Sequence, residues 1–199
     1  MGTANQPDEY RKKTFNGTNL AEKKLSNREF IECQFISCNF HKATLHDNDF
    51  ENCVFKQCDL SMSSLESTGF KDCIFIGCKI LGVDFTRCNS FRFSFAFKDC
   101  FLDYSIFCGT KMKKTQFTNC SLKEANFSNT DLTLSSFDNC DLSDAVFSHS
   151  ILIRVDFRTA RGFVIDPAIN KMKRARFSSL NLQGLLYKYD LEVDDSLIG

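Results

Sequence analysis

The chain of 199 residues has no tryptophan, only two prolines and only nine glycines. It has no apolar run of about 18 residues, which leaves no candidate for a membrane-spanning helix. Its first residues, Met1 to Glu9, lack the apolar stretch of a secretory signal. Gln6 stands where a myristoylation pattern needs Ser or Thr. The reading is a cytoplasmic protein with no membrane partner, so its cysteines are expected as reduced thiols. Net charge is also missing, with 25 basic and 25 acidic residues. The balance is uneven along the chain. Residues 1–27 carry 5 basic and 3 acidic side chains, residues 28–157 carry 13 and 17, and residues 158–199 carry 7 and 5. No basic stripe stands out, so direct nucleic-acid binding is not expected. There is no phosphate-binding glycine loop and no nucleophile elbow. The three histidines, His41, His46 and His149, have no carboxylate pattern beside them. The expectation is a protein that is not an enzyme, with no catalytic residue, metal or cofactor.

Phenylalanine and cysteine are in excess, at 22 and 11 residues. Stepping by five from Phe30 gives Phe35, Phe40, Leu45, Phe50, Phe55, Leu60, Leu65, Phe70, Phe75, Ile80 and Phe85. The same walk from Phe97 reaches Phe157 with a large apolar residue at every stop. Two positions before each stop, from Cys33 to Val83 and from Phe95 to Val155, stands a Cys, Ala, Ser, Thr or Val, except at Asn48 and Phe95. A period of five fits neither a helix nor a strand. It fits a chain that turns a corner every five residues, with the small and large residues inside. Four such units close one square coil, so residues 20 apart stack at about the 4.8 Å spacing of strands. The predicted fold is all-β: a right-handed quadrilateral parallel β-helix with a short C-terminal helical segment.

Ten cysteines fall in the inward small position, at 33, 38, 53, 58, 73, 78, 88, 100, 120 and 140; only Cys108 does not. The spacing suggests three ladders, 33/53/73, 38/58/78 and 100/120/140. The reading is small buried filler rather than metal ligands.

The phase shifts between Phe85 and Phe97. The Phe-x-Asp-Cys motif at residue 70 returns at residue 97, which suggests a seven-residue insertion within 86–96. Phe91, Arg92 and Phe93 then belong either to a bulge that packs its own rings or to a partner-contacting loop. Residues 1–12 read as a mobile tail, 13–157 as the β-helix interrupted near 86–96, and 158–199 as a cap and dimerisation segment. In the last, Asp166-Pro167 suggests a helix start. Ser179 suggests the cap of a second helix carrying Leu182, Leu185 and Leu186. Glu124, Asp131, Asp138, Asp141, Asp144 and Asp156 form an acidic cluster. It is either an ordinary solvated face or an anionic surface for a basic groove on a partner.

The pentads over 28–157 resemble the pentapeptide-repeat superfamily. Ile165-Asp166-Pro167, Asn170-Lys171, Lys173 to Ser178, Leu185-Leu186 and Asp190 to Val193 are similar to the end of Qnr-type proteins, most of all the albicidin-resistance and microcin B17-immunity members. Cys78 to Val83 is similar to that group as well. The resemblance implies a rod-like homodimer joined through the C-terminal segment, here Phe177, Leu180, Leu182, Leu185, Leu186, Tyr187, Tyr189 and Leu191. It further implies a DNA-like rod that engages bacterial DNA gyrase, and often topoisomerase IV, and protects them from quinolones or peptide toxins. The alternative is a non-enzymatic scaffold for another protein.

Overall fold

A residue in the left-handed backbone region sits two positions after almost every large apolar residue. Lys42, Met62, Glu124, Leu134 and Asp144 are examples, with φ between 52° and 65°. At many of these corners the N–H three residues on closes a turn, as from Ala43 to the Phe40 carbonyl at 2.9 Å. A positive φ at the third turn residue alone is the type II pattern. Repeated every fifth residue, it bends the chain into a square coil. The computed structural model describes residues 8–91 and 93–192.

Ten short strands lie on the walls of this coil: β1 (Asp8–Arg11), β2 (Thr14–Asn16), β3 (Arg28–Ile31), β4 (Gln34–Ile36), β5 (Asp49–Glu51), β6 (Val54–Lys56), β7 (Gly69–Ile76), β8 (Phe93–Lys98), β9 (Gln116–Thr118) and β10 (Ser136–Asp138). All pairing between them is parallel, with residues 20 apart in register from β1 to β7. Single bridges such as Asn39↔Asp59 and Ile106↔Asn126 continue the ladder on the other walls. The protein is therefore a parallel β-helix with four walls. Wall 1 carries Phe40, Leu60, Ile80 and Leu102 inward; wall 2 carries Leu45, Leu65, Phe85 and Phe107; wall 3 carries Phe30, Phe50, Phe70 and Met112; and wall 4 carries Phe35, Phe55, Phe75 and Phe97. Walls 1 and 3 oppose each other, as do walls 2 and 4.

Wall 4 holds an unbroken column of nine rings: Phe15, Phe35, Phe55, Phe75, Phe97, Phe117, Phe137, Phe157 and Phe177. Successive centroids are 4.7–5.3 Å apart and no pair of planes opens beyond 17°. A second column stands beside it on wall 3 in the N-terminal half, as Tyr10, Phe30, Phe50 and Phe70. In the C-terminal half the second column moves to wall 2, as Phe85, Phe107, Phe127 and Phe147. Each such ring adds roughly 0.5–1.5 kcal/mol beyond its burial.

Many of the small inward positions hold hydrogen-bond donors, which give carbonyls inside the coil a partner; Ala43, Val83, Ala125, Ala145 and Val155 only fill space. Cys53 Sγ donates to the Phe30 carbonyl at 3.3 Å and Thr130 Oγ1 to that of Phe107 at 2.8 Å. Ser135 Oγ donates likewise to Met112 at 2.7 Å. The acceptor is 23 residues back in each case. Asn48, an exception to the small-residue rule, keeps to the same scheme: its Nδ2 donates to the Leu25 carbonyl at 2.7 Å, 23 residues back.

The insertion is two residues long, not seven. Phe75 pairs with Phe97, Lys79 with Phe101 and Asp84 with Ile106, all 22 apart. The repeated Phe-x-Asp-Cys motif therefore does not stack on itself. Cys100 follows Cys78, whose N–H reaches Cys100 Sγ at 3.4 Å. The expected three thiol ladders are two, and the longer one runs 38/58/78/100/120/140. Phe95 occupies the small position opposite Cys73 and fills the axis where the second ring column changes walls.

The coil also passes both expected ends. β1 begins at Asp8, and Tyr10 stacks on Phe30 with centroids 5.1 Å apart. At the other end Ile151 pairs with Lys171 and Asp156 with Arg176, and Phe177 stacks on Phe157. Gly162 and Pro167 occupy the large positions there, and the buried side chains of Phe163 and Ile165 fill the axis instead. Asp166-Pro167 starts no helix. Asp166 accepts from the Ala168 N–H at 2.8 Å, closing a turn. Ser178, not Ser179, caps the next turn, accepting from the Leu180 N–H at 3.2 Å. The one α-helix among the described residues is the single turn α1 (Gln183–Leu186).

Candidate interaction surfaces

The core leaves little for chemistry. Among the described residues no group of three or more His, Cys, Asp or Glu is arranged to hold a metal ion. Burial raises the thiols of Cys73 and Cys88 and pushes that of Cys53 up to about 12. A hydrogen bond with the next thiol of the ladder pushes Cys78 up to about 12 as well. Such thiols are neutral and inert. The surfaces that remain are the outward positions of the walls and the two ends.

The six acidic residues read as a cluster fall on three walls. Asp131 lies on wall 3, Asp138 and Asp156 on wall 4, and Glu124, Asp141 and Asp144 on wall 1. Three of the six are neutralised locally. Asp131 meets Lys113 at 3.2 Å, Asp141 meets Arg161 at 3.5 Å and Lys123 at 3.8 Å, and Asp156 meets Arg158 at 2.8 Å and Arg176 at 3.2 Å. Hydrogen bonds from Arg158 hold the Asp156 carboxyl below the usual range. Asp138 accepts from Thr159 Oγ1 at 2.8 Å. Glu124 and Asp144 stack in one column, as their spacing of 20 predicts, and both are exposed. Directly before them in that column stands Tyr104, 57 % exposed, whose hydroxyl is raised by the Glu124 charge and hydrogen bond. Phe101, on the same coil and wall, is 53 % exposed. The C-terminal half of wall 1 thus pairs two exposed rings with two unneutralised carboxylates. The sequence reading found the carboxylates but not the rings.

The insertion divides its aromatics. Phe93 packs at 4.6 Å from Phe95, while Phe91 is 96 % exposed. Arg92 lies outside the described residues. The loop thus packs Phe93 and Phe95 and leaves Phe91 in solvent.

At the N-terminal end charged side chains stand in what would be small positions, beside an apolar opening lined by Phe15, Leu20, Leu25 and Phe40. Lys13 Nζ and the Arg28 guanidinium lie 5.2 and 5.7 Å from the centre of the Tyr10 ring, and Arg28 also donates to Tyr10 Oη at 2.9 Å. Cations over the first ring shield the open edge of β1 and β2 from further pairing.

Four walls, five residues each, with rings and thiols stacked along one axis, match a single repeat architecture. The chain belongs to the pentapeptide-repeat proteins. Family models described as a pentapeptide repeat region and as pentapeptide repeats (8 copies) match residues 48–127 and 140–162. No curated protein matches the sequence. Among solved structures, two trypsin-treated forms of QnrB1, a plasmid-mediated fluoroquinolone resistance protein, are similar in fold. They show 19 % and 18 % identity, each with a TM-score of 0.53, 94 % of this chain covered and 98 % of theirs.

In this pentapeptide-repeat protein the C-terminal cap is docked by a close backbone approach. The Ile165 N–H donates to the Gly184 carbonyl at 2.9 Å. A Cβ on Gly184 would come within 2.1 Å of the Phe163 carbonyl oxygen. Lys188 Nζ reaches Asp166 Oδ1 at 2.7 Å. Of the eight residues expected at a dimer interface, Phe177 and Leu185 pack against the core. Leu180, Leu182, Leu186, Tyr187, Tyr189 and Leu191 remain exposed, Leu180 at 76 %. No helix among the described residues is long and apolar enough to cross a membrane.

Proposed function

We propose that this protein binds bacterial DNA gyrase, and topoisomerase IV, through wall 1 and protects them from quinolones or peptide toxins. The carrying observation is the column Tyr104–Glu124–Asp144 beside Phe101. Carboxylates at fixed spacing on a stiff ladder imitate a row of phosphates, and exposed rings supply the anchors that a protein interface needs. The likeness in fold to QnrB1, a fluoroquinolone resistance protein, supports the reading. A homodimer joined through the six exposed residues of the cap accompanies it, since an apolar end of this kind suits a two-fold partner. The protein acts by occupancy and not by catalysis.

The test is gyrase supercoiling with ciprofloxacin present and the protein titrated in. Protection is expected, and it should be lost on Glu124→Lys with Asp144→Lys. Protection that survives both reversals rules out wall 1; absence of any gyrase binding removes the enzyme as partner. A second reading, a scaffold for another protein, is favoured by the ion pairs that neutralise Asp131, Asp141 and Asp156.

A further inference from the structure

The zero net charge of this chain is a sum over opposed walls. On wall 3, opposite the acidic column, the outward positions from residue 111 to residue 174 hold Lys111, Lys113, Lys114, Arg154, Lys171, Lys173 and Arg174. All seven are exposed. The bridges Lys111↔Asp131, Asp131↔Ile151 and Ile151↔Lys171 place these coils on one face. Asp131 is the single carboxylate among the outward residues of this stretch, and it is paired with Lys113 at 3.2 Å. Arg154 and Arg174 are 20 apart in one column, both at left-handed corners with φ of 58°. The N-terminal half of the same wall has the opposite sign, with Glu9, Glu29, Glu32, Asp49, Glu51 and Asp72 against Arg11, Lys12 and Lys71.

We infer that the C-terminal half of wall 3 binds the phosphate backbone of duplex DNA. The chemistry of the wall separates this from a protein partner. A protein interface takes its energy from desolvated aromatic anchors. This face offers none: its uncharged outward residues are Thr133, Leu134, Ile151 and Ile153, and only Leu134 among them is exposed. Phosphates need no anchor. They are held by point charges, and each one neutralised releases condensed counterions. The cations stand on the coils of Met112, Leu152 and Met172, at a coil spacing of about 4.8 Å, while the coil of Leu132 adds none. The acidic N-terminal half confines a polyanion to the C-terminal half. The inference does not rest on a topoisomerase partner, because it concerns the protein and DNA alone. In sequence the wall shows only as two short basic runs, Lys111-Met112-Lys113-Lys114 and Lys171-Met172-Lys173-Arg174, which the coil brings to one face across 60 residues.

The test is fluorescence anisotropy of a short labelled DNA duplex of arbitrary sequence, with the full chain titrated at about 50 mM salt, where phosphate contacts are strongest. Micromolar binding independent of sequence is expected. The association constant should fall with roughly the fourth to fifth power of salt if five phosphates are contacted. Lys114→Glu with Arg174→Glu should weaken binding at least tenfold, while Glu124→Gln with Asp144→Gln on the opposite wall should not weaken it. Circular dichroism and gel filtration confirm that each variant is folded. Absence of binding at about 50 mM salt, or binding that ignores the wall 3 reversals, overturns the inference. So does capture of poly-glutamate in place of DNA, which would mean an acidic protein.

Discussion

The rings of Phe75 and Phe97 stack 5.2 Å apart, with 17° between their planes, although 22 residues separate them. Every other step of the same column spans 20. The coil therefore absorbs two extra residues without interrupting the wall 4 stack, and the disturbance is confined to walls 2 and 3. Phe95 occupies the space opened there. It contacts Phe70, Phe75, Phe85, Phe93 and Phe97.

Phe95→Ala should destabilise the fold by about 3–5 kcal/mol, as large-to-small changes at buried aromatics do. Phe91→Ala, at a ring almost wholly in solvent, should stay within about 0.5 kcal/mol of the parent. Urea midpoints at constant slope measure both. Equal effects would mean that Phe95 does not plug the axis.

Gly184→Val should release the C-terminal cap. The added side chain meets the Phe163 carbonyl and ring, and the hydrogen bond from Ile165 cannot form with the helix displaced. The expected readout is rapid proteolysis after about residue 177 with the β-helix left intact. If the cap also carries the dimer, light scattering should fall to the mass of one chain. Leu180→Arg should give the same mass without increased proteolysis, because Leu180 is 76 % exposed.

Stability should fall steeply in alkali. Eight thiols have pKa values raised by folding, those of Cys53, Cys78 and Cys100 to about 12. A group raised on folding keeps its proton longer in the native state. Its contribution is complete below the free thiol value of about 8.5 and is lost as pH rises toward the folded value. Urea midpoints should decline from about pH 9 upward. Cys58→Ala and Cys78→Ala should each make that decline shallower, whatever they do to the midpoint at neutral pH. A slope unchanged by both would exclude the thiols as its source.

The five-residue period was fully legible, because every wall repeats the same demand for one large and one small inward residue. What the period hides is which wall a residue occupies. The four walls are equivalent in pattern, so insertions of two and of seven residues give the same phase, and the repeated Phe-x-Asp-Cys motif favoured the wrong one. The pairing of Phe75 with Phe97, Lys79 with Phe101 and Asp84 with Ile106 separates them. The far end was missed because Gly162 and Pro167 vacate two large positions, although Met172, Ala175 and Phe177 resume the rule. Asn48 and Asn170 looked like exceptions or went unread. Each donates to a carbonyl 23 residues back, which is what the hydroxyls do elsewhere. The column of Glu124 and Asp144 was visible as a spacing of 20. The rings beside it were legible by the same count, since Phe101 and Tyr104 flank the stop at Leu102 in outward positions and Tyr104 is 20 before Glu124.

The left-handed corners bear on how the surfaces can change. Tyr104, Glu124 and Asp144 on one wall, and Lys114, Arg154 and Arg174 on the other, all stand at positive φ. Each L-residue there costs roughly 1–2 kcal/mol that glycine would not. The side chains offered to partners are thus mounted where the backbone least tolerates them, so drift toward glycine would make the molecule hardier while erasing its contacts one by one. Variants selected only for heat resistance should accumulate glycine at these six positions and lose binding as they do.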